Sequence, residues 1–239
     1  MTHRRFWAKA LPDEGGALAL DAGTARHARV LRLRVGETIR LFDGAGREAS
    51  ARIERVSDGE LLCHATASET VATAGGRIVI VQATPKGDKL DTIVRMSTEL
   101  GVSAIQLATS ERTVGRIEGS AVVKRLERLC RIAREAARQS GRAQIPDVLP
   151  PVPLLEAAAR APEAAARIVM WEESQQPLPT RIDAACAWIV IGPEGGVSEA
   201  EISRLTELGF GHRRMGQSVL RVDTAAAVAV ALIIDRMSR

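Results

Sequence analysis

Residues 188–223 read WIVIGPEGGVSEAEISRLTELGFGHRRMGQSVLRVD. Two short strand-like runs, Trp188–Ile191 and Gly211–Met215, each stop in a loop that a strand cannot continue. In Gly192-Pro193-Glu194-Gly195-Gly196 the proline removes a backbone donor and fixes φ, while the glycines permit positive φ and close backbone approach. The pattern predicts a tight turn at the carboxyl end of a strand. Ser198 followed three residues later by Glu201 has the form of a capping box, so a helix is expected to run from there to Leu208, with Gly209 just past its end. The second loop, Gly216–Arg221, leads into Asp223-Thr224, a pair suited to cap a last helix reaching Met237. Two strands that each end in a glycine loop beside a helix describe a ligand crevice at the carboxyl edge of a parallel sheet. Ordinary turns of an α/β protein look the same, so residue chemistry alone leaves both readings open.

The 239 residues, 46% of them apolar, suffice for one large domain or two modest ones. No apolar run approaches the ~18 residues that span a bilayer, and the start, MTHRRFWAKALPDEGG, shows no signal-peptide pattern, so a soluble cytoplasmic protein with no membrane role is expected. Cys63, Cys130 and Cys186 lie far apart, and His3, His27, His64 and His212 sit away from any cysteine or acidic cluster. Neither a disulfide framework nor a metal site is indicated. A net charge of +4 is a moderate bias toward anionic partners, and arginine, which suits bidentate phosphate contact, exceeds lysine. Tyrosine is absent and aromatic residues are few, which argues against a base-stacking sheet.

Residues 1–72 carry short alternating segments separated by Gly- and Asp-containing turns. Thr38–Phe42 and Glu48–Ile53 alternate across Asp43–Gly46 as a hairpin does, Leu61–Ala65 resembles a further strand, and Thr24–Arg34 a short basic helix. The region reads as a small β-barrel. Its basic residues, Arg4, Arg5, Arg26, His27, Arg29, Arg32 and Arg34, are candidates for RNA phosphate contact or simply a solvated face. Ser68–Gly76 has linker composition, which sets the domain boundary after residue 72 and assigns 73–239 to a second domain. There, strands Arg77–Ala83, Val102–Ala108 and Arg167–Glu173 alternate with helices Lys89–Leu100, Ser120–Ser140 and Leu154–Ala161. That alternation predicts a mainly parallel sheet covered on both faces. In the long helix, Val122, Leu126, Leu129, Ala133 and Ala136 form the buried stripe, and Glu127 and Arg131 an i, i+4 pair. The last helix, rich in Ala225–Leu232, is apolar nearly all round and must be buried.

There is no P-loop, no complete dinucleotide fingerprint and no G-x-S-x-G elbow. What the chain does contain, in order, is Gln82–Asp91, Thr98–Val102, Ser110–Arg112, Glu135–Arg142, Ile191–Gly196 and Val219–Ala225. Together with His27 to Arg32, this ordered set resembles the 16S rRNA (uracil-N3) methyltransferase family of the SPOUT superfamily over nearly the whole chain. It departs from that family's usual residues at Met96, Leu129, Val197, Gln217-Ser218 and Asp223.

The resemblance implies an α/β trefoil-knotted SPOUT domain behind an amino-terminal PUA-like barrel. It also implies an obligate homodimer and S-adenosylmethionine bent into the knot. By this likeness the cofactor meets Met170 and Trp171, the loop of Ile191, Gly192, Pro193, Gly195 and Gly196, the loop of Met215, Gly216, Val219, Leu220 and Arg221, and Thr224. The implied reaction is methylation at N3 of a uridine in 16S rRNA of the 30S subunit, with Arg112, Arg142, Glu194 and Arg221 as catalytic candidates and Lys86, Lys89, Arg112 and Arg142 toward RNA. A SPOUT enzyme acting on tRNA or 23S rRNA, or a non-catalytic RNA-binding paralogue, shares much of this pattern.

Overall fold

The computed structural model describes residues 4–71, 76–114 and 119–238, which fall into two compact units: 4–71 with 134–145, and the remainder. His3 and the boundary expected after residue 72 lie outside the described residues.

The first unit contains β1 (Arg5–Trp7), β2 (Gly16–Leu20), α1 (Ala22–Val30), β3 (Thr38–Phe42), β4 (Arg47–Val56), β5 (Leu61–Ala65) and β6 (Glu69–Thr70). Its sheet runs β1-β3-β4-β5-β2, with β6 on β4; β1 is parallel to β3 and the other pairs are antiparallel. The expected hairpin is formed, Thr38 facing Arg52 and Phe42 facing Glu48. The Asp43 carboxylate accepts the amides of Ala45 and Arg47 at 2.7 and 3.0 Å and so closes the turn. Period-two alternation sends Ile39, Leu41, Ala49, Ala51 and Ile53 into one core with Leu61 and Cys63. Burial, then the charge of Glu54, pushes the Cys63 thiol up to about 11, which suits a packed residue. Helix α1 starts before the expected Thr24 because Asp21 caps it, its side chain accepting the Thr24 amide at 2.7 Å. It ends at Val30, short of Arg34, and Arg32 takes a left-handed φ of 55°.

Residues 134–145 join this unit through specific contacts. Arg5, only 5% exposed, pairs with Glu48, donates to the Ala137 carbonyl at 3.0 Å and lies 4.1 Å over the Phe42 ring. Arg134 stacks 3.9 Å over Trp7, and the Ile145 amide donates to the Gly44 carbonyl at 2.9 Å. None of these long-range partners shows in residue spacing.

The second unit holds β7 (Arg77–Ala83), α2 (Lys89–Leu100), β8 (Ala104–Thr109), most of α3 (Ser120–Ser140), β9 (Asp147–Pro153), α4 (Leu154–Ala159), β10 (Ala166–Met170), β11 (Cys186–Ile191), α5 (Glu199–Glu207), β12 (Gly211–Arg213) and α6 (Val222–Met237). The sheet runs β12-β10-β11-β7-β8-β9 and every pair is parallel. From central β7 the chain steps outward to β8 and β9, then returns to build β10, β11 and β12 on the other side. This reversal places a topological switch at the carboxyl ends of β7 and β11. Val81, Val169 and Val190 pack with Leu154, Ile202, Leu205 and Phe210 on one face, while α2 packs on α6, which touches β11. Gly101 closes α2 with φ 116°, as its position requires.

Several elements depart from expectation. Strand β9 was not foreseen because Pro150 and Pro151 interrupt it; it lies at the sheet edge, where missing donors are tolerated, and its register shifts beside them. Strand β10 stops at Met170 and β12 at Arg213, and their continuations become loops. Helix α6 begins at Val222 with Arg221 as N-cap, so Asp223 lies in its first turn, where a negative charge suits the helix dipole, and does not cap it. Of its apolar side chains, Ala226, Ala229, Val230 and Ile233 are buried, whereas Ala231 is exposed and Val228 and Leu232 are half-buried. No Glu127–Arg131 ion pair forms; Arg125 and Arg128 of the same helix reach Asp88 and Asp91 of the preceding turn and helix. Among the described residues no helix is long and apolar enough to cross a membrane, and no His, Cys, Asp and Glu cluster could hold a metal ion.

Candidate active site

The ends of β10, β11 and β12 converge on one cleft enclosing about 890 Å³, open solvent at its mouth included. Met170 and Trp171 come from the end of β10, Ile191, Gly192, Pro193, Glu194 and Gly196 from the loop after β11, and Met215 to Val222 from the loop before α6.

The loop after β11 is locked by its neighbours. The buried Gln82 side-chain amide donates to the carbonyls of Ala83 at 2.8 Å and Gly192 at 3.4 Å. The Gly196 amide donates to Pro193 O at 2.9 Å, and Gly196 adopts φ 74°. A Cβ on Gly192 would meet the Gly196 carbonyl carbon at 2.9 Å and Val197 Cγ2 at 3.0 Å, so the turn closes only without a side chain there. The expected capping box is complete: Ser198 Oγ accepts the Glu201 amide at 3.1 Å and the Glu201 carboxylate accepts the Ser198 amide at 3.1 Å. Glu111 ties in as well, accepting from Ser198 Oγ at 2.6 Å while its amide donates to Glu201 at 2.9 Å.

Glu194 is fully engaged. It accepts Lys89 Nζ at 2.7 Å and the Lys86 amide at 3.2 Å. Burial alone would push its carboxyl up, but these donors and the Lys89 charge outweigh burial and hold it below the ordinary value. A carboxylate so held is a poor proton acceptor, which favours a loop-ordering role over a basic one. Arg112 Nη1 donates to Gly195 O at 2.9 Å. Gly195 itself does not line the cleft; a Cβ on it would face Arg112. Thr224 is also outside the lining, since the start of α6 at Val222 leaves it exposed.

Arg221 lines the cleft, as do Lys89, Glu172, Arg213, Arg214, Gln217, Ser218 and Ala225. Apart from Lys89, assigned to RNA, and Gln217 and Ser218, which lie inside the expected loop Met215–Arg221, the latter were missed; their nearness to motif residues was the available signal. Behind Trp171 stands His212, ring to ring at 5.4 Å, with its Nδ1 2.9 Å from Ser174 Oγ. Arg142 belongs to the first unit, half-buried, and burial lowers its pKa.

The basic candidates of the first unit divide. Arg5 is a structural ion pair and has no face to offer phosphate. His27 lies edge-on to Phe6 at 5.6 Å, and burial, then the charge of Arg138, lower its pKa, so at neutral pH it carries little charge for a phosphate. Arg4 pairs with Glu37 and Arg29 with Asp58, both at the surface, while Arg26 and Arg34 are exposed.

Residues 73–234 match the family model described as an RNA methyltransferase domain, and residues 20–65 that of the RNA methyltransferase PUA domain. The fold and the cleft therefore define an RNA methyltransferase of two-part design. The chain is 35% identical to the ribosomal RNA small subunit methyltransferase E of Mycobacterium tuberculosis, covering 95% of this chain and 90% of that protein. A crystal structure of ribosomal RNA small subunit methyltransferase E from Neisseria gonorrhoeae bound to S-adenosyl methionine superposes with a TM-score of 0.87 at 32% identity, covering 95% of both chains. A Legionella pneumophila methyltransferase structure in complex with the same cofactor gives 0.84 at 30% identity, covering 96% of both. The chain belongs to the ribosomal RNA small subunit methyltransferase E family.

Proposed function

We propose that this protein methylates N3 of a uridine in 16S rRNA of the small ribosomal subunit, using S-adenosylmethionine, in the cytoplasm. The observation that carries the reading is the glycine-built cleft at the carboxyl ends of β10, β11 and β12, where Gly192 admits no side chain and apolar Met170, Trp171, Ile191 and Leu220 stand beside polar loop backbone. That lining suits a molecule with a flat base at one end and a charged amino-acid tail at the other, and it needs no metal. When bound, the cofactor supplies an electrophilic methyl carbon on a sulfonium.

The chain's own part is positioning and charge. Holding uracil N3 in line with the methyl carbon supplies much of the rate. N3 must first lose its proton, and a guanidinium at the cleft, Arg221, stabilises the resulting anion on the uracil oxygens. Arg112 braces the loop through Gly195 and adds positive charge nearby. Arg142 and the exposed Arg4, Arg26, Arg29, Arg32 and Arg34 of the PUA-like unit, with Lys86, are assigned to RNA phosphates. Under this reading the segment carrying β11 to α6 is tied in a trefoil knot, and the apolar side chains left uncovered on α6, Val228, Ala231 and Leu232, face a second copy in a homodimer.

The test is transfer of labelled methyl groups from S-adenosylmethionine to 30S particles lacking the modification, with 50S particles, naked 16S rRNA and tRNA alongside. Label confined to the 30S sample is expected. Label in tRNA or 50S particles instead would move the substrate to another RNA, and none in any sample would leave an RNA-binding paralogue.

A further inference from the structure

Glu172 follows Trp171 directly after β10 and lines the cleft. It is exposed, and among the described residues it makes no hydrogen bond or ion pair. Glu194, the other carboxylate of the lining, is by contrast held by Lys89 and the Lys86 amide. Glu172 is nevertheless well placed: a Cβ built on Gly196 would lie 2.4 Å from its Oε1 and 3.3 Å from its Cδ. Its carboxyl thus sits in the space that any other residue at position 196 would fill, against the loop that forms the cleft wall. Gly196 also holds φ 74°, so both its backbone and its missing side chain keep that seat open. An ionised carboxylate accepts up to four hydrogen bonds and donates none. One left without a protein partner inside a ligand cleft has its acceptors available to the ligand.

Resting on the methyltransferase reading above, we propose that Glu172 is a cofactor-recognition residue whose carboxylate accepts hydrogen bonds from the polar donors of S-adenosylmethionine, the ribose hydroxyls or the α-ammonium. These donors are the same in the cofactor and in its demethylated product. Glu172 therefore contributes equally before and after transfer and sets affinity without changing the chemical step. A carboxylate directed at the sulfonium would behave differently, because that charge is lost in the reaction and the product would not feel the substitution.

The experiment is calorimetric titration of the full-length wild-type, Glu172→Gln and Glu172→Ala proteins with S-adenosylmethionine and with S-adenosylhomocysteine, together with steady-state methylation of 30S particles. Wild-type protein that binds neither ligand would sink the cofactor reading itself, whatever the variants do. With wild-type binding secured, Glu172→Ala is expected to weaken both ligands by a similar factor, about tenfold for one charge-assisted hydrogen bond. It should raise KM for the cofactor and leave kcat in place. Retained affinity in Glu172→Gln identifies the hydroxyls, which an amide oxygen still accepts, and loss in both variants identifies the ammonium. Unchanged affinity for both ligands, weakening of S-adenosylmethionine alone, or a fall in kcat at constant KM would each overturn the proposal. Melting curves matching wild type confirm that the variants are folded, as an exposed side chain without protein partners leads one to expect.

Discussion

Lys89 Nζ lies 2.7 Å from Glu194 Oε1, and the Lys86 amide reaches the same carboxylate at 3.2 Å, so the turn before α2 and the loop after β11 are joined through one side chain. The Glu194 carboxyl is held below its ordinary value of 4.5. A depressed carboxyl contributes stability that is present above its unfolded pKa and lost as pH falls through its folded one. Glu194→Gln should therefore cost about 0.5–1 kcal/mol near pH 7, the size of a partly exposed ion pair. The difference from wild type should shrink below about pH 4.5 and disappear once the carboxyl is protonated. Urea denaturation at a series of pH values measures this; a difference that persists unchanged in acid would contradict it.

The capping box at α5 carries more than its helix. Ser198 satisfies the Glu201 amide and also donates to Glu111 at 2.6 Å. Ser198→Ala should destabilise the protein by about 1–2 kcal/mol, the upper part of the range for a lost cap. Ser198→Thr should restore most of it, read by the same denaturant midpoints.

Arg5 and Arg26 are both basic residues of the first unit, but they should respond in opposite ways. Removing Arg5 takes the buried donor from Glu48, which keeps only the half-exposed Arg40 at 2.9 Å, and from the Ala137 carbonyl, and is expected to cost about 1–3 kcal/mol. Arg26→Ala, at the surface, should stay within about 0.5 kcal/mol of wild type. RNA affinity should show the reverse at Arg26: a modest loss and a salt-dependence slope lower by about one.

Much of this architecture was legible in the residues. The Ser198–Glu201 box, the Gly101 terminator and the Asp43–Gly46 hairpin are local devices whose partners lie within a few positions, so spacing alone reveals them. The parallel sheet followed from strand–helix alternation, and the loops of the cleft from their glycines. What spacing could not reveal depends on partners far along the chain. Arg5 looked like a surface cation because Glu48 and Ala137 are 43 and 132 positions away. Strand β9 was hidden by prolines that only an edge position tolerates, and Thr224 falls outside the cleft lining, in the first turn of an α6 whose cap is Arg221. Glu172 carries no motif, and the seat beside Gly196 that marks it appears only once the loop is folded.

Gly192 offers the sharpest single change in the cleft. An alanine there must displace the Gly196 backbone at 2.9 Å and Val197 at 3.0 Å, neither of which is a flexible side-chain end. Gly192→Ala should weaken S-adenosylmethionine binding by more than about tenfold, a cost of about 1.4 kcal/mol or greater. Val197 belongs to the second unit's core, so the variant should also melt at a lower temperature than wild type while still folding at assay temperature. Isothermal titration and thermal melting of the same preparation separate the two effects.

The measurement that bears most directly on the central claim is mass spectrometry of nucleosides from unmodified 30S particles incubated with S-adenosylmethionine and either wild-type or Gly192→Ala protein. N3-methyluridine formed by the wild type and strongly reduced with Gly192→Ala is the predicted result. A methylated nucleoside other than N3-methyluridine, or equal product from both proteins, would contradict the account of the cleft as the site of uridine N3 methylation.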